Sequence, residues 1–148
     1  MFNHLNSGGK HLICDFKNIT NSKLLNSKLE LKLMCKDLCI ENNFTILGEV
    51  DHEFSPQGCS FIFLLSESHL SVHTFPERNH LAFDLYTCRQ YEDNSVYINI
   101  FLELCKKMGT HAQQCTYNIL DRTFHSTFSK KVEQKPNILE NDPLGFHL

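Results

Sequence analysis

The sequence predicts an α+β fold, a two-layer sandwich in which one antiparallel β-sheet carries helices on one face. Three observations lead there. At 148 residues the chain has the length of one domain with one compact core. Hydrophobic residues at 41% and charged residues at 21% match a globular composition. Short β-rich segments joined by hairpin-length breakers outnumber the helical segments, the pattern of strands layered under a few helices.

The elements follow in chain order. Lys10 to Phe16 reads as a strand after a Gly8-Gly9 breaker. A helix follows, capped by Thr20, Asn21 or Ser22, with Leu24, Leu25, Leu29, Leu31, Leu33, Met34, Leu38 and Ile40 as its apolar face, and it stops near Asn42-Asn43. Phe44 to Val50, Ser60 to Leu65, His69 to Phe75 and Leu81 to Cys88 read as strands. Their breakers are Ser55-Pro56-Gln57-Gly58, Ser66-Glu67 and Pro76 to His80. A second helix spans Ser95 to Met108, with Ile98, Phe101, Leu102 and Cys105 on one side and Gly109 past its end. Gln114 to Leu120 is a last strand, and the tail over 126–148, with Pro136 and Pro143, is expected to be loosely held. Leu70, Val72, Ile62 and Leu64 are assigned to one sheet face, with Phe61, Phe63 and Leu65 on the other. Both faces are then partly buried, the second one by a partner subunit or by edge helices.

Composition also excludes functions. A net charge of -3 argues against nucleic acid as a partner, since phosphate-binding modules carry a basic balance. The longest strongly apolar run, Phe61 to Leu65, is far short of the roughly 20 residues a membrane-spanning helix needs. Met1 to Lys10 is polar and lacks the apolar core of an export signal. The seven cysteines are odd in number, so reduced thiols in a cytoplasmic setting are expected rather than a disulfide framework. Cys35 and Cys39 share a helix face, but no second Cys/His pair stands at zinc-finger spacing, and no metal is expected.

The chemistry sits between Gly58 and Cys88. Ser66, Glu67, Ser68, His69, Ser71 and His73 crowd into eight residues. As pattern alone this is an amphipathic strand with a wet face on which His69, Ser71 and His73 alternate. If Pro76 to His80 is a hairpin turn, Phe75 faces Leu81, His73 faces Phe83, and Ser68 faces Cys88, bringing a hydroxyl beside a thiol. Ser68 and His73 lie five residues apart on one strand. At about 3.3 Å per residue that is about 16 Å, on opposite faces, so they can share a site only if the chain bends or a second copy supplies one of them.

Leu65-Ser-Glu-Ser-His-Leu-Ser-Val-His-Thr-Phe-Pro-Glu77 and Asp84-Leu-Tyr-Thr-Cys88 closely resemble the small, prokaryotic-type S-adenosylmethionine decarboxylase proenzymes. Gly9-Lys-His-Leu12 and Phe54-Ser-Pro-Gln-Gly-Cys-Ser60 extend the resemblance, which covers roughly residues 9–88 well and the rest in outline. The resemblance implies a precursor that cuts itself between Glu67 and Ser68 into chains 1–67 and 68–148. Ser68 becomes a pyruvoyl group, which takes the substrate amine as a Schiff base; neither a metal nor pyridoxal phosphate is implied. Ser60 and His73 match the processing pair, His73 as proton acceptor, and Cys88 matches the proton donor. Phe54 matches the aromatic that stacks on adenine, and Glu77 the acid that binds the ribose hydroxyls. The implied reaction is decarboxylation of S-adenosylmethionine to the aminopropyl donor of spermidine synthesis, in a cytoplasmic (αβ)2 homodimer with sites shared between subunits. Standing alone, Ser60 is a strand hydroxyl, His73 a half-buried sheet histidine, Cys88 a small core residue and Glu77 a solvated turn carboxylate.

Two other functions fit parts of the pattern: a pyruvoyl-dependent decarboxylase of ornithine or arginine, and an uncut, non-catalytic regulatory relative. Retention of Phe54 and Glu77 disfavours the former; intact Ser68, His73 and Cys88 disfavour the latter. Arg78-Asn79-His80 departs from the aromatic and glycine turn of many relatives, and Asp84 has no assigned role.

Overall fold

The structure, a computed structural model, describes residues 7–124, so the expected loose tail over 126–148 lies outside the described residues. Nine strands and α-helices make up the described chain, with short 3-10 turns at Pro76–Arg78 and Ala112–Gln114: β1 (Ser7–Phe16), α1 (Ser22–Leu25), α2 (Lys28–Glu41), β2 (Ile46–Glu53), β3 (Cys59–Leu65), β4 (Ser68–Phe75), β5 (His80–Thr87), α3 (Ser95–Met108) and β6 (Thr116–Thr123). The strands form one six-stranded sheet in the order β2-β3-β4-β5-β1-β6, with every neighbouring pair antiparallel. This is the α+β architecture that the strand and breaker pattern predicts.

The alternation of side chains sorts the sheet into two faces. Leu12, Cys14 and Phe16 of β1, Phe61, Phe63 and Leu65 of β3, Leu70 and Val72 of β4, and Leu81, Phe83 and Leu85 of β5 are all buried in one core. Leu70 and Val72 therefore share the face of Phe61 and Phe63, not that of Ile62 and Leu64. The pairing requires it, because Phe61 lies opposite Val72 and Phe63 opposite Leu70, and directly opposed residues project to the same side. Ile62 and Leu64 stand exposed on the other face.

The expected long first helix is broken in two. Asn21 caps α1, its Oδ1 accepting from the Leu24 N–H at 3.2 Å. Ser27 then starts α2, its Oγ accepting from the Glu30 N–H at 3.1 Å, so a second cap interrupts the apolar pattern. The buried stripe of α2 is Leu31, Met34, Cys35, Leu38 and Cys39, at the spacing one helix face allows. Leu29, Leu33 and Ile40, expected in the core, point away from it and are exposed. The shared face of Cys35 and Cys39 is a core face, where burial pushes both thiols up.

Lys28, Lys32 and Lys36, one helical turn apart, tie α2 to the edge strand β2. Lys28 lies 2.8 Å from Asp51, Lys32 2.9 Å from Glu49 and 2.6 Å from Asp51, and Lys36 3.1 Å from Glu49. Hydrogen bonds from Lys28 and Lys32 pull the Asp51 carboxyl down to about 2. The α3 helix has the predicted bounds, ending at Gly109 in the left-handed conformation with φ of 66°. It packs on the same sheet face: Phe101 stacks on Phe16 with centroids 5.5 Å apart and meets Tyr117 at 4.7 Å.

Gly8 and Gly9 lie inside β1 and do not precede it. Gly9 has φ of 90°, and a Cβ there would stand 1.9 Å from the Thr87 carbonyl oxygen and 2.6 Å from Cys88 Cα. The glycine lets β1 lie directly against the end of β5. Gly9→Ala should therefore cost about 2–4 kcal/mol through clash and strain. The urea unfolding midpoint measures it, and an unchanged midpoint would contradict this packing.

Candidate active site

The β4 strand carries chemically capable groups at both ends. At its C-terminal end, Ser60 of β3 pairs with His73, and Ser60 Oγ and His73 Nδ1 are hydrogen-bonded at 2.7 Å. Phe54, Ser60, His73 and Glu77 line one hollow of about 330 Å³, together with Gln57, Thr74 and Phe75. Phe54 is exposed at the strand's end, with the His52 ring meeting it edge-on at 4.7 Å. Glu77 is exposed in the single 3-10 turn Pro76–Arg78 that joins β4 to β5. Four residues picked out by the resemblance thus surround one space. Phe75 and Gln57 were not anticipated, although Phe75 shares the alternation of Ser71 and His73 and was legible on that ground.

The other end of β4 holds the Glu67–Ser68 link. Leu65 pairs with Ser68, so Ser66 and Glu67 form a two-residue hairpin turn. Such turns normally need positive φ at the loop residues to match the twist of the strands. Neither Ser66 nor Glu67 is among the positive-φ residues; Ser68 is, with φ of 149°. The mismatch is carried by Ser68, a non-glycine residue in a conformation that costs about 1–3 kcal/mol. The Glu67 carbonyl accepts a hydrogen bond from the Cys88 N–H at 2.8 Å.

The structure corrects the expected β4–β5 register by one residue. Phe75 pairs with His80, His73 with Ala82, and Ser68 with Thr87, not with Leu81, Phe83 and Cys88. Asn79 takes the left-handed conformation, φ 50°, and ends the turn one residue early, so His80 already belongs to β5. Cys88 sits just beyond the ladder, exposed, and meets Glu67 through the backbone. Ser68 and His73 lie five positions apart on a continuous strand, about 16 Å. The two clusters do not meet within one copy.

Along β4 between them, on the open face that His73 shares, lies a polar network of His11, Asp84, Ser71 and His69, of which only His69 and Ser71 were expected on a wet face. His11 Nε2 and Asp84 Oδ1 are 2.8 Å apart, and the Ser71 hydroxyl donates to Asp84 Oδ2 at 3.3 Å. His69 packs against His11 and Tyr86 with centroids 5.9 and 5.7 Å apart. Burial, then the neighbouring His11, lowers the affinity of His69 for a proton. Asp84 thereby gains a position, facing Ser71 across the β4–β5 ladder. Among the described residues no cluster of three or more His, Cys, Asp or Glu side chains could hold a metal ion.

The chain is similar to proteins of one family. A family model described as S-adenosylmethionine decarboxylase matches residues 10–123. The S-adenosylmethionine decarboxylase proenzyme of Brevibacillus brevis is 36% identical over 106 residues, covering 72% of this chain and 79% of that protein. The proenzyme of the same name from Symbiobacterium thermophilum is 39% identical over 88 residues, covering 60% of this chain and 66% of that one. The crystal structure of the adenosylmethionine decarboxylase from Aquifex aeolicus matches with a TM-score of 0.68 at 20% identity, over 81% of this chain and 94% of that one, and bears on the fold alone.

Burial divides the thiols sharply. Cys14, Cys35, Cys39, Cys59 and Cys105 are buried, Cys115 is half-buried and Cys88 is exposed. Iodoacetamide on the native protein should modify Cys88 first, Cys115 more slowly, and the other five only after unfolding. Peptide mapping of a time course checks the order.

Proposed function

The chain belongs to the S-adenosylmethionine decarboxylase family, and from that premise we propose that it is a proenzyme that cuts itself between Glu67 and Ser68 and then decarboxylates S-adenosylmethionine. The observation that carries the reading is the state of the Glu67–Ser68 link. Ser68 holds a strained φ of 149°, and the carbonyl before it already accepts an N–H from Cys88. Strain at a single serine following a polarised carbonyl favours attack of its own hydroxyl on that carbonyl.

In this reading the Ser68 Oγ bonds to the Glu67 carbonyl carbon, the carbon–nitrogen bond breaks, and the hydroxyl proton passes to the freed amine. The Cys88 N–H stabilises the developing oxyanion. Removal of the α-proton of residue 68 expels Glu67 as a carboxylate, and hydrolysis with loss of ammonia leaves a pyruvoyl group at the start of chain 68–148. His73, hydrogen-bonded to Ser60, accepts the proton.

The residues present fit such a group: a serine directly after a tight turn, with an exposed thiol adjoining the ladder end. Once formed, the pyruvoyl group supplies a carbonyl that holds the substrate amine and takes up the electron pair left by carbon dioxide. Cys88 delivers a proton to the substrate α-carbon. Phe54, exposed beside the hollow, stacks on the adenine, and Glu77 accepts hydrogen bonds from the ribose hydroxyls. An ornithine or arginine substrate would leave Phe54 and Glu77 without a role.

The separation of the two clusters supports a dimer. With Ser68 about 16 Å from His73 along β4, a complete site needs the cluster of Ser60, His73, Phe54 and Glu77 from another copy. Val50, Ile62 and Leu64 are exposed on the open face and supply apolar area for sheets to pair. The assembly proposed is an (αβ)2 homodimer in the cytoplasm, its product feeding spermidine synthesis.

Purified protein should give two masses split before residue 68, the larger carrying the pyruvoyl terminus, and should release label from carboxyl-labelled S-adenosylmethionine but not from ornithine. Ser68→Ala should stay whole and inactive, while Cys88→Ala should still cut but lose at least about 100-fold in turnover. A wild-type chain that remains whole, or that decarboxylates ornithine instead, overturns the reading. Sharing of sites has its own test. Cys88→Ala and Phe54→Ala co-expressed should recover about a quarter of wild-type activity, since half the dimers are mixed and each mixed dimer has one intact site. Recovery no greater than that of the two variants separately would rule out sharing.

A further inference from the structure

Glu67 is held far more firmly than a hairpin turn requires. Its side chain is only 13% exposed, unusual for a glutamate unless it is paired. One carboxylate oxygen, Oε2, accepts the Thr45 N–H at 3.2 Å; the other, Oε1, accepts from Arg89 Nη2 at 2.9 Å. Burial works to raise its pKa, yet the Ser66 hydroxyl, the Thr45 N–H and Arg89 hold it below the ordinary glutamate value. Arg89 is itself fixed. Its Nη1 donates to the Asn42 carbonyl at 2.8 Å, its Nη2 also donates to the Asn43 carbonyl, and its guanidinium lies 4.9 Å from the centre of the Phe44 ring. A planar guanidinium with several fixed donors suits this clamp in a way a lysine does not.

The arrangement joins two consecutive residues to one. The Cys88 N–H holds the main-chain carbonyl of Glu67, and Arg89 holds its side chain. The turn is of the wrong twist for its hairpin, so the relaxation open to it is rotation of the Glu67–Ser68 peptide, which would carry the carbonyl away from Cys88. A side chain anchored at both oxygens opposes that rotation.

We propose that Arg89 is a positioning residue for self-cleavage, gripping Glu67 so that the scissile carbonyl stays on the Cys88 N–H while Ser68 remains strained. The proposal rests on the self-cleavage reading above. It extends past the cut: Glu67 then ends the shorter chain and gains a second carboxylate, and the same guanidinium holds that end on the body of the protein.

The test follows appearance of the two fragments with time, by intact mass, in freshly produced precursor. Arg89→Ala should slow cleavage about 10- to 100-fold, since displacement of a reacting group by about 1 Å has that scale of effect. Arg89→Lys should recover part of the loss, and guanidinium ion at millimolar concentration should accelerate Arg89→Ala but not wild type. Glu67→Gln should be slow as well, and the double variant no slower than Arg89→Ala, because both changes remove one interaction. Thermal melting checks that each variant is folded. If Arg89→Ala does not fold, Arg89→Lys and Glu67→Gln carry the test. Variants that cleave at the wild-type rate overturn this proposal alone. Slow cleavage that neither lysine nor guanidinium improves, with Glu67→Gln at full rate, also overturns it. A wild-type precursor that never cleaves removes both this proposal and the reading beneath it.

Discussion

The pairing of β4 with β3 on one side and β5 on the other is the constraint from which the rest of the arrangement follows. A strand bonded along both edges cannot bend or slip without breaking two ladders, and a one-residue slip would turn every buried side chain to the open face. With Leu70 and Val72 fully buried, that register is fixed. Fixing it also fixes the distance between Ser68 and His73. The chain length between them, not a choice of rotamer, keeps the two clusters apart within one copy.

The same ladders divide the sheet chemically. One face is closed by α2 and α3 over a continuous core of leucine, phenylalanine and cysteine. The other carries a polar middle built on His11, Asp84, Ser71 and His69, flanked by exposed Val50, Ile62 and Leu64 at one side. An apolar border next to satisfied polar groups suits association with a surface of the same kind better than it suits bare solvent. The α2 lysines are kept off that face altogether, spent on Glu49 and Asp51 of β2 at the helix side of the sheet.

How much of this was legible in the sequence depends on the range of the interaction. The bounds of α3 were legible to the residue because their signals are local, but its face was legible only in part: Phe101 and Cys105 are buried as expected, whereas Leu102 is exposed and Tyr97, Ile100, Leu104 and Met108 complete the buried side. The strands were legible because alternation and breakers are also local. The break at Ser27 was missed because apolar residues run across it, and only the cap geometry shows that Ser27 ends one helix and starts another. The β4–β5 register was missed by one residue because the letters do not state that Asn79 turns left-handed. Phe54, Ser60, His73 and Glu77 were recognised through the motif, and their gathering around one hollow is a property of the β3–β4 pairing. Contacts such as Arg89 with Glu67, 22 positions apart, or His11 with Asp84, 73 apart, have no local signature at all.

The position of the strained serine is the remaining physical question, since strain persists only where its surroundings prevent relaxation. Ser68 is the first residue of a strand paired on both sides, directly after a two-residue turn, so the ladders hold it while the turn distorts it. A loop would relax; a strand centre would not tolerate the distortion. The same place is also where a break in the chain does least harm. Cutting between Glu67 and Ser68 severs the turn but leaves β3 paired with β4, and β4 with β5. Every core residue of those strands keeps its neighbours, and the hydrogen bonds that align them are untouched. The link that stores strain is therefore also one whose loss the fold can survive, which is the condition any chain must meet if it is to be cut after folding and still act as one body.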